Sequence, residues 1–310
     1  MAMVNSGPIS LGGNATSGGL NQSVNIELNR AATASINMNE SAVRTLAAVP
    51  SGAISMSNFY GKSNRVVSNL TISSDTANYV LNTAKVTGYA AGKTDVTLTI
   101  NSGIFVFSAS TGSYALTVDN SWTTGDTVTI VNNGVIVGRG GNGANASGGG
   151  GNGIAGGAAG PALFVQRAIT MNNLNRIAGG GGGGASGGGN PGGGCCPAGG
   201  GGGGGGIGNS SGGTSPFLSC CCTGNAGSGG SLTSAGGGGS GSPNGLLSAA
   251  PGGDGGGYGS SGGSSGGGSG SAKCGGGSSS GASGGAAGAC IVGNSNITYI
   301  NTGTRNGSIS

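Results

Sequence analysis

The chain has 310 residues, 80 of them glycine, with 11 Lys and Arg against 7 Asp and Glu and no histidine. A net charge of +4 without a basic stripe gives no footing for nucleic-acid binding, and the absent histidine removes the commonest general base and metal ligand. No apolar run reaches the roughly 18 residues of a membrane-spanning helix, and stretches such as GGDGGGYGSSGGSSGGG (252–268) break the strict glycine register of collagen.

The glycine is unevenly placed, with 13 in residues 1–135 and 67 in residues 136–310. The first half can bury an ordinary core, whereas glycine has no side chain to remove from water. The opening MAMVNSGPIS has neither a basic n-region nor an apolar core, so no secretory signal is expected.

Residues 1–65 read as a small α/β module. Asn39 is expected to cap a helix, with Glu40 in its first turn and Ala42, Val43, Leu46 and Ala47 as its apolar face. Pro50-Ser51-Gly52 ends that helix, and Ser55 caps a last turn from Met56 to Tyr60. A piece of this size is marginal alone and is expected to dock on something.

Residues 66–135 alternate as a β module does. Val96, Leu98 and Ile100 face one way, with Thr97 and Thr99 opposite. Asn101-Ser102-Gly103 turns into Ile104–Phe107, Tyr114–Val118 and Val128–Val131 supply further strands, and Asn132-Asn133-Gly134 is a turn signal. A loose repeat follows: TIVNNGVIVGRGGNG (129–143), ITMNNLNRIAGGGG (169–182) and, more faintly, ITYINTGTRNG (297–307). The glycine segments at 138–160 and 178–290 therefore leave from, and return to, one β platform.

Segment 178–290 has 52 glycines in 113 residues, with Asp254 and Lys273 as its charges and Phe217 and Tyr258 as its aromatics. Composition alone allows a disordered linker. The alternative is a bundle of glycine helices of the polyproline II type, which rise about 3.1 Å per residue without internal hydrogen bonds and pair outward with close neighbours. Ordering a residue costs roughly 1–2 kcal/mol. A net hydrogen bond returns about 1 kcal/mol and Cα–H···O contacts about 0.5–1 more, so such a bundle holds only when anchored and packed on all sides. The Cys-Cys, Pro-Phe-Leu and Leu-Leu punctuation fits loops joining short helices better than it fits a linker.

Several motifs invite other chemistry. Gly138-Arg-Gly140-Gly-Asn-Gly143 matches a dinucleotide fingerprint but leads into no helix-forming sequence. Gly88-Tyr-Ala-Ala-Gly92-Lys93-Thr94 has one residue too few between its glycines for a phosphate loop, and Gly61-Lys62-Ser63 lacks the first glycine. Cys195, Cys196, Cys220, Cys221, Cys222, Cys274 and Cys290 contain no C-x-x-C pair; disulfides, buried thiols and a metal site all stay open. The carboxylates Glu27, Glu40, Asp75, Asp95, Asp119, Asp126 and Asp254 are scattered, as surface solvation would have them. No catalytic residue, cofactor or metal is expected, and the chain reads as no enzyme.

NNGVIVGRGGNG and RIAGGGGGGASGGG, with glycine blocks broken by short idiosyncratic segments, resemble the glycine-rich distal adhesins of tailed bacteriophages. ASINMNESAVRTLAAVPSGAISMSNFYGKSN (34–64) is similar to a module recurring in phage tail and baseplate-associated proteins. The resemblance implies a fold that is mostly β plus polyglycine II. Its parts would be an N-terminal attachment module (1–65), a β-rich platform with the first glycine insertion (66–177), a polyglycine II receptor-binding domain (178–290) and a C-terminal β return (291–310).

It also implies a virion protein made in the host cytoplasm and released by lysis, whose partners are a bacterial surface receptor (an outer-membrane protein or surface glycan) and, through residues 1–65, other tail or baseplate proteins. A homo-oligomer stays open, and no nucleic-acid partner is implied. Specificity would lie in loops between glycine helices, carried by Pro216, Phe217, Leu218, Pro243, Leu246, Leu247 and Tyr258. An ice-binding protein and a fibre-forming structural protein are the alternatives.

Overall fold

The computed structural model describes residues 3, 9–11, 23–28, 30–31, 33–148, 150–190, 198–216, 223–244, 247–270 and 277–310. The chain forms two compact units. One comprises Met1–Ser68, Val86–Asp95 and Thr123–Asp126, and the other Asn69–Lys85, Val96–Trp122 and Thr127–Ser310.

In the first unit, α1 (Val24–Glu27), α2 (Ser41–Ala47) and a 3₁₀ turn (Met56–Phe59) enclose a core of Val24, Leu28, Val43, Leu46 and Phe59. Extended pairing is slight, with a bridge between Ser10 and Ser23. α2 starts one residue later than expected, with Glu40 as its N-cap. The Asn39 side chain is drawn away because its Oδ1 accepts from Arg44 Nη2 at 2.6 Å. Glu27 is buried, and its carboxylate accepts from Ser63 Oγ (3.0 Å) and Asn64 N (2.7 Å), which offsets its desolvation. Arg65 pairs with Asp95 through Nε and Nη2, both at 2.7 Å, and the carboxylate raises the guanidinium pKa. Its Nη2 also reaches Gly125 O at 2.8 Å, so one side chain holds the two outlying loops of this unit.

The strands lie in the second unit apart from the first residues of β1 and β4. They are β1 (Val66–Ile72), β2 (Thr76–Ala77), β3 (Tyr79–Leu81), β4 (Thr94–Ile100), β5 (Phe105–Phe107), β6 (Leu116–Val118), β7 (Thr127–Asn132), β8 (Val135–Val137), β9 (Leu163–Val165), β10 (Ile169–Asn173), β11 (Arg176–Ala178), β12 (Pro243–Asn244), β13 (Leu247–Ser248), β14 (Ser269–Gly270), β15 (Ile291–Val292), β16 (Ile297–Asn301) and β17 (Thr304–Asn306). Three sheets run β1-β4-β7-β10-β16, β2-β5-β8-β11-β17 and β3-β6-β9-β15. Apart from β12, β13 and β14, consecutive strands fall in successive sheets, and pairs such as β7–β10, β8–β11 and β6–β9 are parallel, so the chain winds as a parallel β-helix. Most inward positions are apolar and buried, among them Leu98, Ile100, Leu116, Ile130, Leu163 and Met171, with Asn132 and Asn173 as buried polar exceptions.

The repeat visible in the sequence is this winding. Thr129 lies beside Thr170, and Thr170 beside Thr298. Asn132-Asn133-Gly134 does turn the chain, but at a corner between two sheets. Val135 N returns to Ile104 O of the preceding coil (2.9 Å) and not to β7. Glycine-rich sequence leaves the β-helix after β8 and after β11, and the chain comes back as β9 and β15.

Between those exits and returns the backbone pairs across long sequence separations with a three-residue step. From the segment 179–190, Gly180, Gly183 and Ser186 donate to the carbonyls of Gly160, Gly157 and Ile154. Gly181, Gly184 and Gly187 donate to Ile207, Gly204 and Gly201, and Gly182, Ala185 and Gly188 to Ser260, Gly263 and Gly266. Its carbonyls accept from three further segments, through the N–H groups of Gly141, Gly253 and Gly285 among others. Segment 198–208 is surrounded in the same way, donating to 250–256, 225–231 and 141–144 and accepting from 181–187, 236–239 and Gly213.

Falling partner numbers mark antiparallel neighbours and rising ones parallel neighbours, and both occur. These two segments are buried along almost their whole length, and eight others (138–146, 150–161, 210–216, 223–231, 235–242, 249–257, 260–268 and 278–289) surround them among the described residues. A β-carbon on Gly183 would overlap the Asn142 carbonyl, which is why the inner segments exclude side chains.

Candidate functional site

A lattice paired through its backbone leaves side chains for its ends. At the end next to the β-helix, Gly138 N donates to Ala178 O (2.9 Å), Gly179 N to Asn306 O (2.9 Å) and Gly259 N to Gly179 O (2.8 Å). The turns at 208–210, 231–234 and 257–260 lie at this end. At the opposite end Asn190 bridges Ala198, Ser242 N meets Gly199 O at 3.2 Å, and Gly189 N meets Gly151 O at 3.0 Å.

The far end has its own bracing. Asn190 is fully buried and its Nδ2 donates to Gly277 O at 3.0 Å. Ser147 Oγ donates to Gly151 O (3.0 Å) and Asn152 O (2.9 Å), closing the turn of the first glycine insertion. The small antiparallel sheet β12-β13-β14 sits here, with Pro243 opposite Ser248 and Leu247 opposite Gly270. Ala198 and Ala249 pack together at this end. Neither this sheet nor the role of Asn190 was expected. The signal available was the length of the glycine runs, which fixes where each segment must reverse.

The expected receptor residues divide between the two ends. Pro216, Pro243 and Leu247 are brought to the far end, with Pro216 buried. Phe217, Leu218 and Leu246 lie outside the described residues, in stretches whose described neighbours (Pro216, Asn244 and Leu247) are at that end. Tyr258 is at the other end. It is half-buried, its hydroxyl donates to Leu232 O at 2.6 Å, and the Arg176 guanidinium lies 4.5 Å over its ring. These contacts fasten a glycine turn to β11.

Cys290 is fully buried, its thiol donates to Ile177 O at 3.0 Å, and burial pushes its pKa up to about 11, so it is a poor nucleophile. The other six cysteines lie outside the described residues. Gly140, Gly141 and Gly143 spend their N–H groups on Gly208, Gly181 and Ser211, which leaves no cradle for a pyrophosphate. The carboxylates serve local structure: Asp126 accepts from Tyr89 Oη, Thr94 N and Thr123 N, Asp75 from Phe105 N, and Asp254 from Gly238 N.

The family model for phage tail fibre adhesin Gp38 matches residues 67–310. Among solved structures, the chain is similar to the gp37–gp38 adhesin tip complex of the bacteriophage S16 long tail fibre, at 23% identity and a TM-score of 0.48, covering 86% of this chain and 91% of that one. No curated protein matches.

Proposed function

Because the chain belongs to the phage tail fibre adhesin Gp38 family, we propose that this virion tail protein grips its host receptor with the connections at the far end of the glycine lattice. The observation that carries this reading is the backbone register, which brings the ends of the lattice segments at Asn190/Ala198, Pro216, Asn244/Leu247 and Gly270/Gly277 together. Connections between the segments of a rigid scaffold can vary without cost to the scaffold.

The three-residue recurrence of hydrogen-bond partners supports a polyglycine II reading of the segments, since that helix has three residues per turn. The first unit, with its own core, supports attachment of residues 1–65 to another tail or baseplate protein. The receptor is an outer-membrane protein or surface glycan, and the adhesin is made in the host cytoplasm and leaves by lysis.

The test replaces Phe217, Leu246, Leu247 and Tyr258 singly by serine and measures cell adsorption beside melting temperature. Adsorption lost at Phe217, Leu246 or Leu247 with melting unchanged supports the far end as the binding face. Adsorption that falls only in step with melting at all four places the receptor contact elsewhere.

A further inference from the structure

The outer face of the β1-β4-β7-β10-β16 sheet carries a second pattern, unrelated to the glycine lattice. Within the second unit, Thr or Asn fills its solvent-facing positions except at Val131 and Ile300, and none is charged. Thr129, Thr170 and Thr298 lie side by side in one row across three strands. Asn172, two residues beyond Thr170, and Asn301, three beyond Thr298 because a bulge intervenes, form a second row beside Val131 and are joined by a 2.7 Å Nδ2–Oδ1 hydrogen bond. The hydroxyls of Thr129, Thr170 and Thr298 have no hydrogen-bond partner among the described residues. The neighbouring sheets differ: one faces outward with Phe105, Phe107 and Arg176, and beside the other Tyr114 stacks on Phe164 with ring centroids 4.8 Å apart.

We propose that this face is a second binding surface, for a neutral polysaccharide chain laid across the strands. Paired strands space the hydroxyls about 4.8 Å apart, and the amide row lies about 6.6 Å further along the strand. The result is a regular grid of groups on the scale of one sugar unit. A hydroxyl both donates and accepts, so it meets a sugar hydroxyl in either sense. β-Branched threonine is restricted at χ1, so little freedom is lost on binding. The absence of charge disfavours an anionic polymer or a lipid headgroup, and Ile300, 63% exposed, offers an apolar edge to a sugar ring. Each contact is weak, and repetition along a polymer supplies avidity. The face thus serves a reversible first contact, independent of the far end of the lattice.

The test measures retention of the full chain on immobilised dextran, mannan and polygalacturonate. Retention on a neutral polymer is expected, insensitive to salt, and weakened about tenfold or more in the triple variant Thr129→Val, Thr170→Val, Thr298→Val at unchanged melting temperature. Should the triple variant fail to fold, Thr170→Lys, which crowds the row, must abolish retention while Thr170→Ser keeps it. The proposal is overturned by retention on polygalacturonate alone, by retention on no neutral polymer, or by retention that both variant sets leave intact. Inhibition of ice recrystallisation without polymer binding assigns the grid to ice and overturns it equally. Retention is read on isolated polymers in the threonine variants, and the far-end reading on whole-cell adsorption, so the two surfaces succeed or fail separately.

Discussion

At Gly203 a single added β-carbon would overlap the Gly184 carbonyl, in a segment enclosed on all sides. Gly203→Val is therefore expected to cost about 3 kcal/mol or more in urea unfolding. Ser264 is exposed, and Ser264→Ala should stay within about 0.5 kcal/mol. Its neighbour Ser265 is no equivalent control, because its Oγ donates to Ser186 O at 2.6 Å and accepts from Ala282 N at 3.1 Å. Cys290 gives a pH prediction. An unfolded thiol titrates near about 8.5, whereas the folded one is held protonated up to about 11. Between those values the unfolded chain has lost a proton that the folded chain keeps, so stability falls as pH rises through that window. Burial raises the Tyr79 and Tyr299 phenols in the same direction. The difference between wild type and Cys290→Ala in urea melts from pH 8 to 11, at roughly one-unit steps, isolates the thiol. An unchanged pH slope in the variant would show that the thiol is not so held.

At the scale of elements, the β-helix was the more legible half. Val96, Leu98 and Ile100 alternate with Thr97 and Thr99 because one face of β4 lines a core, and that pattern stands in the sequence unaided. The recurrence of Asn at 132 and 173 was legible too, and its physical basis is a buried ladder. Asn132 Nδ2 donates to Asn173 Oδ1, and Asn173 Nδ2 to Thr302 O, both at 2.7 Å. Asn173→Leu should cost about 2–4 kcal/mol in the same assay, because it removes a buried acceptor and orphans the carbonyl of the next coil. A cost below about 1 kcal/mol would mean that the ladder is not a structural tie. Which strands pair was not legible. Asn133 and Gly134 take no left-handed backbone; Gly134 is needed because a β-carbon there would overlap the Ile104 carbonyl of the preceding coil, and Thr129 finds its partner Thr170 on a later coil. The residue types marked a turn, and only the stacked coils fix its partner.

For the whole molecule, the glycine region was legible as composition and silent as geometry. Side chains write periodicity into a sequence, and 179–190 has only Ala185, Ser186 and Asn190 to do so. Its partners are set by backbone pairing, which any glycine satisfies equally, so register comes from where the runs end. The same silence led Tyr258 to be grouped with Phe217 by residue type, although Tyr258 lies at the end nearest the β-helix. Tyr258→Ser should lower stability by about 1–3 kcal/mol through loss of its hydrogen bond and the Arg176 contact, with adsorption falling only as melting falls. Adsorption lost without a change in melting would return Tyr258 to the receptor face. The central claim is that backbone pairing alone makes the glycine region a rigid support for its far end. Amide hydrogen exchange of the whole protein tests it most directly. Strong protection across 179–190 and 198–208, with the surrounding segments exchanging faster, is the predicted result, and exchange at the intrinsic rate throughout both segments would contradict it.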